Sequence, residues 1–148
     1  MKRILLITFL IFNSILIFSQ NNETINEFIF NSDNRGGGKT IIIHADSVFF
    51  ITMIRTPSKS TTKSKAKIQR SDWDKLVNSV SEYKLADLVN LPSPTNRRAG
   101  DGAAFSNIYI ATAKTKYDSG EFDDYNPNEK LVKLMKVIQE IENTYNKQ

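Results

Sequence analysis

The sequence has no cysteine among its 148 residues. That excludes disulfide frameworks, thiolate-ligated zinc or iron–sulfur centres and cysteine nucleophiles. Its single histidine, His44, excludes any site in one chain that needs two imidazoles. The chain is too short for a TIM barrel or a doubly wound dinucleotide-binding enzyme. Its length points to one domain. No apolar run reaches the about 20 residues of a transmembrane helix.

What is present begins with an export tag. Lys2 and Arg3 form a positive start, Ile4 to Phe18 form an apolar stretch, and Ser19 offers a small residue for cleavage. This is the pattern of a signal peptide over residues 1–19. The expected product is a single domain over 20–148, periplasmic or secreted, with no transmembrane segment after processing. No Cys follows the apolar stretch, so lipid attachment there is excluded. Removing the tag takes two cations and no acid, so the net charge falls from +4 to +2. A globally basic nucleic-acid binder is not indicated.

Along the rest of the chain, Phe28 and Phe30 mark a first strand, and NSDNRGGGK (31–39) reads as a turn cluster. Thr40 to His44 and Val48 to Ile54 read as further strands, and Ala66 to Arg70 as a short one. A helix is expected near 71–83, with Ser71 as its cap. Trp73, Leu76, Val77, Val80 and Tyr83 follow the spacing of one apolar face. After the loop PSPTNRRAGDG (92–102), Ala103 to Ala113 and Tyr117 to Phe122 read as a strand pair. A second helix is expected near 127–145, with Asn126 as cap and Pro127 at its first position. The expected fold class is α+β: an antiparallel sheet of about five strands with two helices packed on one face. Trp73 and Leu134 should lie in its core.

Several motifs invite functional readings. GGGKT (36–40) imitates a phosphate loop, but Asp33 stands where the first glycine belongs, and a strand follows where a helix is needed. His44 lies in a β-branched strand without a Gly-x-Ser-x-Gly motif anywhere in the chain. Asp118, Glu121, Asp123 and Asp124 cluster, but without the alternation of a calcium loop, so no metal and no cofactor is expected. Arg55, Lys59, Lys63, Lys65, Lys67 and Arg70 form a basic segment that contains no acid. Such a segment attracts anionic surfaces. It carries no interleaved aromatic, so specific nucleic-acid binding is not expected. Arg97, Arg98 and Asp101 form the last candidate: a guanidinium clamp for an anion, or a loop pinned by Asp101 with one arginine paired to it.

The order of Arg35-Gly36, Ser71-Asp72-Trp73-Asp74-Lys75-Leu76, Pro92-Ser93-Pro94-Thr95, Arg98, Asp101-Gly102-Ala103 and Ser119-Gly120-Glu121-Phe122-Asp123 resembles small exported proteins of unknown function from Bacteroidota. The resemblance spans most of the chain after the tag. It implies export and an α+β domain, and it carries no activity across.

Two functions follow from these residues. The first is an exported non-enzymatic module, monomeric, that binds a protein or an anionic surface. The alternative is a small hydrolase using the carboxylates of Asp101 and Asp123, which would have to converge on one cleft.

Overall fold

A computed structural model describes residues 23–146. The signal-peptide assignment, over 1–19, lies outside the described residues. The fold is α+β, as the strand and helix periodicities predict. The elements run β1 (Ile25–Asn34), β2 (Gly37–Ile43), β3 (Ser47–Ile54), β4 (Ser60–Lys67), α1 (Arg70–Val80), β5 (Phe105–Thr112), β6 (Lys116–Asp118), β7 (Phe122–Asp123) and α2 (Val132–Tyr145). The strands form one antiparallel sheet in the order β4-β3-β2-β1-β5-β6, with β7 paired to β5. Among the described residues, no helix is long and apolar enough to cross a membrane.

One face of the sheet is the core. Phe30 pairs with Ile41 and Ile108, Phe28 with Ile43 and Ile110, and Val48 and Phe50 continue the same rows across β3. These eight side chains alternate along their strands and all are buried. Against them lie Trp73, Leu76 and Val80 of α1 and Leu134, Met135, Ile138 and Ile141 of α2. Trp73 and Leu134 are buried as expected. The Phe28 and Trp73 rings meet edge-to-face at 5.5 Å, a geometry their quadrupoles favour.

The sheet has seven strands where the sequence suggests about five. The largest difference is β4. Its residues Ser60 to Lys65 are exposed on both faces, so no apolar periodicity announces a strand. Main-chain pairing to β3, from Ser60 opposite Ile54 to Lys67 opposite Ser47, makes it one. The expected 117–122 strand is interrupted after Asp118, because Gly120 takes a positive φ of 79°. Its Cα comes close to the Asn90 backbone, where an added Cβ would meet Asn90 Cα at 3.2 Å. The 31–39 cluster is almost all strand. Asn34 Oδ1 accepts the Gly36 and Gly37 amides at 2.8 and 3.0 Å, which confines the turn to Arg35-Gly36.

Both expected helix caps move. Ser71 lies inside α1, whose N-cap Gln69 makes no side-chain cap bond. The cap comes from the other helix: the Tyr145 hydroxyl accepts the Gln69 amide at 3.2 Å and donates to Asp72 Oδ2 at 2.7 Å. Asn126 instead donates its amide to the Asp123 carbonyl. Asn128 caps a 3-10 turn over Glu129–Leu131 that leads into α2, its side chain accepting the Lys130 amide.

Candidate functional site

The second face of the sheet carries neither helix. Its residues alternate with the buried ones: Ile29, Ile42, Phe49, Ile51 and Tyr109 are half-buried, and Met53 is exposed. The register sets them in rows. Phe49, Ile42, Ile29 and Tyr109 stand side by side across β3, β2, β1 and β5. The next row begins at Ile51 and is polar beyond it, with the Thr40 hydroxyl donating to Asn31 Oδ1 at 2.9 Å and Asn31 Nδ2 to Asn107 Oδ1 at 3.2 Å.

On the β4 side these rows end in lysine. Lys63 pairs with Ile51, Lys65 with Phe49 and Lys67 with Ser47, so all three project on the uncovered face. The Lys65 ammonium lies 4.8 Å from the centre of the Phe49 ring. At the other side of the sheet, the Lys116 ammonium lies 3.9 Å over Tyr109. Carboxylates on this face (Glu27, Asp33 and Asp118) sit on β1 and β6, away from β4. His44 is there too, edge-on to Phe49 and 3.7 Å from Glu27.

The basic segment thus divides into two kinds of charge. Arg55 makes a two-pronged pair with Asp33, at 2.7 and 3.0 Å, and Arg70 pairs with Asp74 at 3.0 Å. Among the described residues, no carboxylate lies within 4 Å of Lys59, Lys63, Lys65 or Lys67. The arginines fasten the fold, and the lysines remain available.

The arginines of the 92–102 loop are also used internally. Arg98, only 15% exposed, donates to Asp123 Oδ1 at 2.9 Å and to the Thr95 carbonyl at 3.1 Å. Arg97 donates from its guanidinium to the Gly102 carbonyl at 2.6 Å. The pin of this loop is Asp123 rather than Asp101. Asp123 is 1% exposed and accepts from the Thr95 hydroxyl and the Arg97 amide at 2.6 Å each, and from the Arg98 amide at 3.2 Å. Burial opposes its ionisation, but the Thr95 hydroxyl, the Arg98 guanidinium and the two amides outweigh burial and hold the carboxyl far below its ordinary range. Asp101 sits past the 3-10 turn in a left-handed conformation, φ 58°, its carboxylate 2.7 Å from the exposed Arg35 guanidinium. The two acids of the hydrolase reading therefore answer to different partners, and one is shut off from solvent.

The remaining acids of 118–124 answer to separate partners, with the exposed Glu121 3.9 Å from Arg98. Asp118 accepts the Gly120 amide at 3.1 Å, and Asp124 accepts the Ala104 amide at 2.8 Å. Among the described residues, no three His, Asp or Glu side chains gather as a metal site would require. GGGK builds a hairpin and the first residues of β2, with no helix to face a phosphate.

A separate cleft of about 900 Å³ runs beside α1, with Trp73, Val77, Tyr83, Leu85 and Tyr117 in its lining. Its margin includes Glu23, Thr24 and Ile25, and the Tyr117 hydroxyl donates to Glu23 at 2.9 Å. In the sequence Trp73, Val77 and Tyr83 read as one helix face, with no sign that part of that face stays open.

No protein-family model matches the sequence, and no curated protein resembles it at a significant level.

Proposed function

We propose that the chain is an exported, non-enzymatic binding module that engages an anionic partner through the uncovered sheet face. One observation carries this reading: Lys63, Lys65 and Lys67 stand in a line on that face, without carboxylate partners among the described residues, beside the apolar row that begins at Phe49. Cations at the border of low-dielectric surface act on an approaching anion more strongly than cations surrounded by water. The apolar row adds contact area once the anion is seated.

The test uses heparin as the polyanion and two triple variants of equal charge. Lys63→Ala with Lys65→Ala and Lys67→Ala should abolish retention on heparin. Lys130→Ala with Lys133→Ala and Lys136→Ala, on and around α2, should keep it. Equal retention of both variants would show that net charge alone is responsible and would remove the face from the account.

A further inference from the structure

The lysine row belongs to an edge strand. β4 ends the order β4-β3-β2-β1-β5-β6, so among the described residues no strand lies along its outer side. In an edge strand, alternate residues direct an amide and a carbonyl outward, where they can template another strand. Among the described residues, nothing screens this edge. Ser60 to Lys65 and Lys67 are all exposed, and Ala66 is half-buried. The side chains that alternate with the lysines, Thr62, Ser64 and Ala66, are too small to obstruct a neighbour on the helix side.

We propose that the partner is an extended acidic peptide that adds to the sheet as a strand beside β4. This rests on the reading of the uncovered face as an anion-binding surface and names its occupant. Strand addition uses the free main-chain groups for affinity and alternate side chains for specificity. Lys63, Lys65 and Lys67 recur every second residue, so their cross-strand neighbours would be residues i, i+2 and i+4 of the incoming segment. Acidic residues at those three positions neutralise the row. A segment of about seven residues spans it.

The same lysines settle which strand is refused. A second copy of β4 laid along the first would set lysines facing lysines, and like charges directly opposite are destabilising. Lysine on an edge strand is a known guard against self-association. Here the guard is selective, because it repels the chain's own edge and attracts one of opposite charge. The location of the chain's carboxylates agrees with this polarity, since Glu27, Asp33 and Asp118 lie on other strands.

The experiment titrates the full chain with a synthetic peptide of alternating Glu and Thr, followed by isothermal calorimetry. Three comparison probes go with it: the same peptide N-methylated at alternate residues, a peptide with its Glu residues contiguous, and heparin. Strand addition predicts that the alternating peptide binds and that N-methylation abolishes binding, because it removes main-chain donors while keeping every charge. Each lysine replaced by Ala should weaken binding by up to about fivefold. The double variant Lys63→Glu with Lys65→Glu should reject this peptide and accept one of alternating Lys and Thr. Unchanged binding after N-methylation, or equal binding of the contiguous peptide, overturns strand addition and leaves only attraction to anions. Binding of heparin without either peptide overturns the peptide partner but spares the anionic reading. Failure of all four probes overturns both.

Discussion

The Thr95 hydroxyl donates to Asp123 Oδ2 at 2.6 Å, joining residues 28 apart in sequence. The bond fixes the 92–102 loop to β7, the two-residue strand that pairs with β5. Asp123→Ala leaves the Thr95 hydroxyl, two amides and the Arg98 guanidinium without their acceptor in a buried site. Unmet donors of that kind are costly. The thermal midpoint of Asp123→Ala should fall clearly below that of the parent protein. Asp101→Asn, which tolerates the same left-handed backbone, should stay within about 0.5 kcal/mol of it. Comparable losses in the two variants would restore Asp101 as the pin.

The pH dependence has a definite sign. Asp123 is held below the ordinary carboxyl range, as is Asp72, chiefly by the Tyr145 hydroxyl with help from Lys75. A carboxyl that is more acidic in the folded state contributes stability above its unfolded pKa, about 3.9, and loses it as the pH falls further. The melting midpoint should therefore hold steady toward pH 5 and drop below about pH 4. In Asp123→Asn that drop should be shallower. An acid limb identical to the parent's would show that Asp123 does not govern acid stability.

Leu134 is fully buried and begins the row of buried residues along α2. Leu134→Ala removes side-chain volume that the sheet and α1 cannot refill, at a cost of about 2–5 kcal/mol. Urea denaturation measures it. A smaller loss would make α2 a peripheral cover rather than half of the core.

The proposed export predicts a change in covalent structure. Protein recovered from its native compartment should begin at Gln20 or Asn21, as read by intact mass. Retained Met1 in a membrane fraction would contradict cleavage.

The elements that bury one face were legible in the sequence because burial imposes a period. Phe28-Phe30, Ile41-Ile43 and Ile108-Ile110 alternate, while Trp73, Leu76 and Val80 recur at helical spacing. β4 was not legible, because an edge strand exposed on both faces has no period to display. The lysines were visible as charge, but their line on one face depends on the β3–β4 register. Asp101 was the natural local choice for the loop pin, since Asp beside Gly marks a turn. Asp123 could not be found that way. Its four donors reach it from another part of the chain, and no local pattern encodes such a contact. The cap of α1 failed for the same reason, with Tyr145 reaching its start from the end of α2.

Gly37 of the hairpin separates it from the phosphate loop it imitates, and Gly100 of the 92–102 loop serves as the comparison. At Gly37, an added Cβ would meet the Met53 carbonyl oxygen at 2.1 Å, across the β2–β3 ladder. The obstacle is main chain on a neighbouring strand, so it cannot swing aside. At Gly100, an added Cβ meets nothing within 4 Å, and its φ lies outside the left-handed region. Replacing Gly by Ala usually stabilises, by about 0.4–1 kcal/mol, because the unfolded chain loses freedom. Gly100→Ala should show that gain. Gly37→Ala should reverse it and lose about 1–3 kcal/mol, the range for forcing atoms into filled space. ATP should leave both midpoints where they are. If Gly37→Ala instead melts like the parent protein but loses a nucleotide-dependent shift that the parent shows, the glycines serve a phosphate and not the sheet.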